Sequence, residues 1–127
     1  MIVDASAVLA ILLEEPDAFA FFRVLSVAKT APIMAAPGLV ETVITIERKG
    51  GNVASLERLL RVSRIVVRDF TPQHAVIAWQ AFHQFGKGRH AADLNFGNCM
   101  TYALAKVEQL PLRFKGTTLP ELTSNRR

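Results

Sequence analysis

The chain has 127 residues, half of them hydrophobic and 20% charged, and carries a formal net charge of +4 from 15 Lys+Arg against 11 Asp+Glu. That size and composition indicate one folded domain with a real core and exclude a disordered or low-complexity chain. The small basic excess permits a polyanion partner without establishing one.

Met1 to Val3 is a short apolar run ending at Asp4. After Ala5-Ser6 the spacing of Val8, Leu9, Leu12 and Leu13 predicts a helix, so this start reads as buried strand, tight turn and helix. Pro16 separates it from a second helix over Asp17 to Ala28. Ile33 to Ala36 predicts a short strand. Pro37 then opens a helix with apolar Leu39, Val40, Val43 and Ile44, ended by Gly50-Gly51. Asn52 caps a helix with Leu56, Leu59 and Leu60 on one face, and Ile65-Val66-Val67 is a β-branched strand.

Thr71-Pro72 pairs a capping side chain with a proline at the first helical position, starting a helix that stops at Gly86-Lys87-Gly88. The last helix carries Phe96, Cys99, Met100, Ala103, Leu104 and Val107 as an expected core stripe. Leu110 to Phe114 is the final strand. Short apolar strands separated by helices predict a parallel sheet flanked by helices, which binds ligands at the carboxyl ends of its strands. Neither a Gly-x-Gly-x-x-Gly nor a P-loop pattern is present, which removes the main support for a nucleotide fold.

No apolar run approaches the roughly 18 residues that cross a bilayer, and Met1-Ile2-Val3-Asp4 lacks the basic start of a secretory signal. The single Cys99 excludes an internal disulfide, so a cytoplasmic protein without a membrane partner is expected.

Asp4 ends the first strand, at the sheet edge where such folds bind ligands, and it equally suits the cap of the following helix. Glu41 is expected in the first turn of a helix among apolar residues, which predicts partial enclosure and a need for a cation or proton. Its alternative role is a favourable contact with that helix's N-terminus. Asn98 falls in the first turns of the last helix, with Asp93 just before it. Carboxylates gathered where strand ends meet helix starts would repel unless they held a hard divalent cation, which polarises a phosphodiester and acidifies bound water.

The stretches "MIVDASAVLAIL", "LVETVITIE", "GKGRHAADLNFGNCMTYALAK" and "LPLRFKG" resemble, in this order over residues 1–116, a PIN-domain ribonuclease of the VapC toxin family of type II toxin–antitoxin systems. The resemblance implies a three-layer α/β/α sandwich and Mg²⁺- or Mn²⁺-dependent RNA cleavage. It also implies a VapB-type antitoxin and a second toxin subunit as partners, with Asp4, Glu41 and Asn98 as metal-binding and catalytic residues. The family's third acidic residue falls on Asn98, and Asp93 becomes a helix-entry residue. Where the family continues past "FKG" with two acidic residues and a phenylalanine, this chain has Thr117, Thr118 and Leu119. One domain over residues 1–116 with a divergent tail at 117–127 follows.

The tail has a specific reading. Residues Thr117 to Ser124 can be back-translated so that one added base restores Asp-Asp-Phe and a family-like ending. A single-base deletion after Gly116 explains this, and an ordinary divergent tail is the alternative. A haloacid-dehalogenase-type phosphatase also ends its first strand in aspartate, but it needs a carboxylate at position 6, where Ser6 stands.

Arg58, Arg61, Arg64, Arg68, Lys87, Arg89 and His90 are candidate RNA-phosphate contacts, or simply a solvated helix face and loop. Cys99 reads as core, and His74 and His83 show no metal-ligand spacing. Trp79 and Phe82 read as core or antitoxin contacts. Phe19, Phe21 and Phe22, within Ala18 to Val27, are more apolar surface than one core-facing stripe absorbs, which predicts self-association and an antitoxin groove on the early helices.

Overall fold

The computed structural model describes residues 1–86, 88–89 and 94–113. Four short strands, β1 (Ile2–Val3), β2 (Ile33–Ala35), β3 (Val66–Arg68) and β4 (Leu112–Arg113), form one sheet in the order β3-β2-β1-β4. Every pairing is parallel, with Ile2 opposite both Ile33 and Leu112. Six helices connect and cover them: α1 (Ala5–Leu12), α2 (Ala18–Ser26), α3 (Ala36–Arg48), α4 (Val53–Val62), α5 (Pro72–Phe85) and α6 (Phe96–Glu108). Among the described residues, no helix is long and apolar enough to cross a membrane.

The pleat sends alternate strand residues to two separate cores. Ile2, Ile33 and Ala35 join Leu104, Ala103, Tyr102 and Phe85 of α5 and α6. Val3 and Met34 join Val8, Leu25, Leu56 and Leu59 of α1, α2 and α4. Helices therefore cover both faces of the sheet, giving the expected three-layer α/β/α sandwich. Ile2, Met34, Leu56 and Leu104 are fully buried, each stabilising the fold by about 1.5–3 kcal/mol relative to exposure.

Local chemistry sets the helix starts. Asn52 caps α4 through its side chain, and Thr71 caps α5 while His74 Nδ1 accepts the Thr71 N–H at 2.9 Å. Gly86 caps the end of α5, and glycine is needed there because a Cβ would collide with the Phe82 carbonyl. The edge strand starts one residue later than Ile65-Val66-Val67 suggests. Ile65 is buried while Val66 and Val67 remain largely exposed on the outermost strand. Phe114 and the tail at 117–127, with the proposed base deletion, lie outside the described residues.

The expected core stripe of α6 is corrected at its first member. Cys99, Ala103 and Leu104 are buried, but Phe96 is 80% exposed. As the first residue of α6, its side chain projects back past the helix end, beyond the turn that packs on the sheet. Trp79 is likewise no core residue, being 63% exposed on α5.

Candidate functional site

Three helix starts meet at the carboxyl edge of the sheet. Asp4 follows β1 and caps α1, its Oδ2 accepting the Ser6 N–H at 2.9 Å. It is nevertheless buried, and its remaining partners come from α6, 94 and 97 residues later. The Asn98 Nδ2–H donates to Oδ2 at 3.3 Å, and the Thr101 hydroxyl donates to Oδ1 at 2.5 Å. Capping and the shared polar site are thus two uses of one carboxylate.

Asn98 is oriented by a reciprocal cap. Its backbone N–H donates to Asn95 Oδ1 at 2.8 Å, and its own Oδ1 accepts the Asn95 N–H at 3.2 Å. This fixes the amide: oxygen towards Asn95, NH₂ towards Asp4. The flipped amide would set its oxygen against a carboxylate and its NH₂ against an N–H.

β2 runs directly into α3, whose cap is Ala35, with a proline in the first helical positions. Because α3 starts at Ala36, Glu41 lies in the second turn, beyond reach of a favourable contact with its own helix start. It approaches the start of α6 instead. A Cβ on Gly97 would stand 2.5 Å from Glu41 Oε1, so glycine is what lets this carboxylate come so close.

Glu41 is less enclosed than its apolar flanks imply, since one side faces solvent. Partial desolvation on the other side, then repulsion from Asp4, push its carboxyl above the ordinary value. The structure therefore brings Asp4, Glu41 and Asn98 to one place at the sheet's carboxyl edge. Among the described residues no three His, Cys, Asp or Glu side chains gather into a metal-holding group, so the described acidic set is a pair.

Gly97 and Thr101 belong to this site without having been singled out from sequence. Thr101 stands three residues after Asn98, the spacing that places two side chains on one helix face. Cys99, one position round the helix, points into the core, and burial pushes its thiol up to about 11. It is inert at neutral pH.

The basic residues scatter. Arg68 pairs with Glu108 at 3.1 Å, Arg64 donates to the Ala28 carbonyl, and Arg89 lies over the Phe82 ring. Arg58 and Arg61 are exposed on α4. Lys87, His90 and Asp93 lie outside the described residues. An open groove is lined by Val40, Glu41, Ile44, Phe96 and Met100, and a second apolar pocket beside Trp79 and Phe82 shares Phe96 and Met100 with it.

A parallel three-layer sandwich with carboxylates meeting at its strand ends defines a class, and comparison with known proteins agrees. The family model for the PIN domain matches residues 1–121. Ribonuclease VapC36 of Mycobacterium tuberculosis is 42% identical over 124 residues, covering 95% of this chain and 88% of the relative. A ribonuclease VapC of Mycolicibacterium smegmatis is 38% identical over 118 residues, covering 91% of each. The solved structure of Mycobacterium tuberculosis VapC20, a sarcin–ricin loop cleaving toxin, shares the fold. Its TM-score is 0.73 at 13% identity, over 94% of this chain and 92% of that one. The chain belongs to the PIN domain family, among its VapC ribonucleases.

Proposed function

We propose that this chain is a VapC-type toxin that cleaves RNA in a divalent-metal-dependent reaction, with its rate lowered by one missing carboxylate. The observation that carries this reading is the hydrogen bond from Asn98 to Asp4. Where an acidic side chain would add charge to the site, a neutral amide donates a proton to the carboxylate that should bind a cation.

The residues present fit Mg²⁺ or Mn²⁺ in a reduced form. Mg²⁺ commonly takes one or two carboxylates and completes its shell with water and substrate phosphate. Asp4 and Glu41 supply two carboxylates, and their mutual repulsion is a cost that a cation would relieve. Asn98 adds no charge, and its NH₂ faces Asp4 while its amide oxygen is turned to the Asn95 N–H. When bound, the ion supplies polarisation of the phosphodiester and acidification of an attacking water. The chain's own part is to hold Asp4 rigid through Ser6, Asn98 and Thr101 and to leave Glu41 adjustable at the groove. The dipole of α6, whose first turn borders the site, favours a phosphate there.

The partners follow from exposed apolar surface. On α2, Phe19 and Val27 are exposed, while Phe21 and Phe22 pack partly on the core. This face suits a VapB-type antitoxin segment. The larger apolar stretch from Val40 and Ile44 across Phe96 to Trp79 and Phe82 suits a second copy of the chain. A cytoplasmic toxin fits the single, unpaired cysteine.

The second reading is a catalytically impaired relative that binds antitoxin or RNA without efficient cleavage, and the same amide favours it. The test is RNA cleavage by purified wild-type, Asp4→Asn and Asn98→Asp proteins across a Mg²⁺ series. Slow cleavage that requires Asp4 supports the toxin reading. No cleavage above Asp4→Asn, with RNA binding retained, selects the impaired relative.

A further inference from the structure

We infer that Thr101 is a positioning residue, whose hydroxyl sets the orientation in which Asp4 meets a divalent cation. The inference rests on the assignment of Asp4 as a metal ligand made above. Asp4 and Thr101 are both buried. Oδ2 of Asp4 accepts two protons, from the Ser6 N–H and the Asn98 amide. Among the described residues, Oδ1 accepts from the Thr101 hydroxyl.

A hydroxyl carries one proton. Thr101 Oγ1 also lies 3.3 Å from the Gly97 carbonyl, but the Asp4 carboxylate oxygen at 2.5 Å is the closer acceptor. The terminal torsion of an aspartate has a broad well, so with donors on one oxygen only the carboxylate keeps some rotation. A third donor on the other oxygen stops that rotation and leaves Oδ1 one lone pair at a fixed angle. The donor sits mid-helix, on an element already locked to Asp4 through Asn98, so its own rotamer is held. Outer partners of this kind tune the affinity of metal-ligating carboxylates.

Mn²⁺ affinity of the full chain, measured by calorimetry and by electron paramagnetic resonance without RNA, tests this. The proteins compared are wild type, Thr101→Val, Thr101→Ser and Asp4→Asn, all at a temperature where each is folded. Thr101→Val keeps the shape and removes the donor, and it should bind Mn²⁺ about 10-fold more weakly. Thr101→Ser keeps the donor and should bind as the wild type does, a rescue that a purely structural role of the threonine methyl would not give. Should Thr101→Val fail to fold, Thr101→Ala against Thr101→Ser makes the same comparison. Equal affinity of Thr101→Val and wild type overturns the inference, as does a Thr101→Ser protein as weak as Thr101→Val. Equal affinity of Asp4→Asn and wild type instead removes the assignment of Asp4 beneath it.

Discussion

Asn98 and Asp4 are joined by an amide-to-carboxylate hydrogen bond of 3.3 Å between the start of α6 and the end of β1. The contact ties the last long helix to the first strand at the point where the site lies. A neutral donor here satisfies a buried carboxylate without an ion.

Asn98→Asp should therefore make stability cation-dependent. Without divalent ions, the variant loses a hydrogen bond to a charged group, worth about 1.5–3 kcal/mol. It also sets like charges together, offset by about 0.3–1 kcal/mol for an acid near a helix N-terminus. Thermal unfolding in a chelator should show the variant below wild type, and Mg²⁺ should raise the variant's transition more than the wild type's. Equal Mg²⁺ shifts would remove Asn98 from the site.

Glu41 gives a pH signature. Its carboxyl sits above the ordinary 4.5 when folded, through desolvation first and Asp4 second. In the window between 4.5 and that raised value the native state binds more protons than the unfolded state, so stability falls as pH rises through it. Glu41→Gln should flatten the transition temperature across this window and abolish Mn²⁺ binding. An unchanged pH profile in Glu41→Gln would show that the carboxyl is not perturbed.

The core should report through Leu104, which is fully buried against Ile2 and the α5 side chains. Leu104→Ala is expected to cost about 2–5 kcal/mol in denaturant unfolding. A smaller loss would mean that α6 packs loosely on the sheet.

Trp79 stands exposed beside Phe82 and Phe96 on the apolar stretch proposed for a second copy. Trp79→Ala should weaken self-association at least about 10-fold, as removal of a central aromatic anchor does, with the transition temperature kept. Sedimentation across a concentration series reads this directly, and unchanged association would move the contact elsewhere, with the α2 face carrying Phe19 next to be tested.

Most of the architecture is written locally in this chain. Hydrophobic periodicity and helix-start signals such as Asn52 and Thr71-Pro72 place the ten described elements, because the strands are mostly apolar and most helices have a cap or a breaker at an end. Asp4 was legible as the polar end of a buried strand, where a helix cap and a shared polar site suited equally. It makes the Ser6 cap as well as the contacts with α6. What sequence could not show depends on tertiary approach. Nothing local tells that Thr101 reaches back 97 residues to Asp4, or that Gly97 makes room for Glu41 from another helix. Phe96 misleads for a related reason. Its spacing fits the core stripe, yet it sits at the helix end, where the periodic pattern runs past the surface it packs on.

The most direct measurement is the Mg²⁺-dependent RNA cleavage rate of the wild-type chain beside Asn98→Asp, alone and combined with Thr117→Asp, Thr118→Asp and Leu119→Phe. At about 4 Å and an effective dielectric near 20, one unit charge against another is worth roughly 4 kcal/mol before desolvation is subtracted. Even a third of that, about 1.4 kcal/mol, is a tenfold change in rate. The restored proteins should cleave at least about 10-fold faster than wild type, with the combined variant fastest. Equal rates for all three would contradict a site depleted at Asn98 and place the chemistry elsewhere.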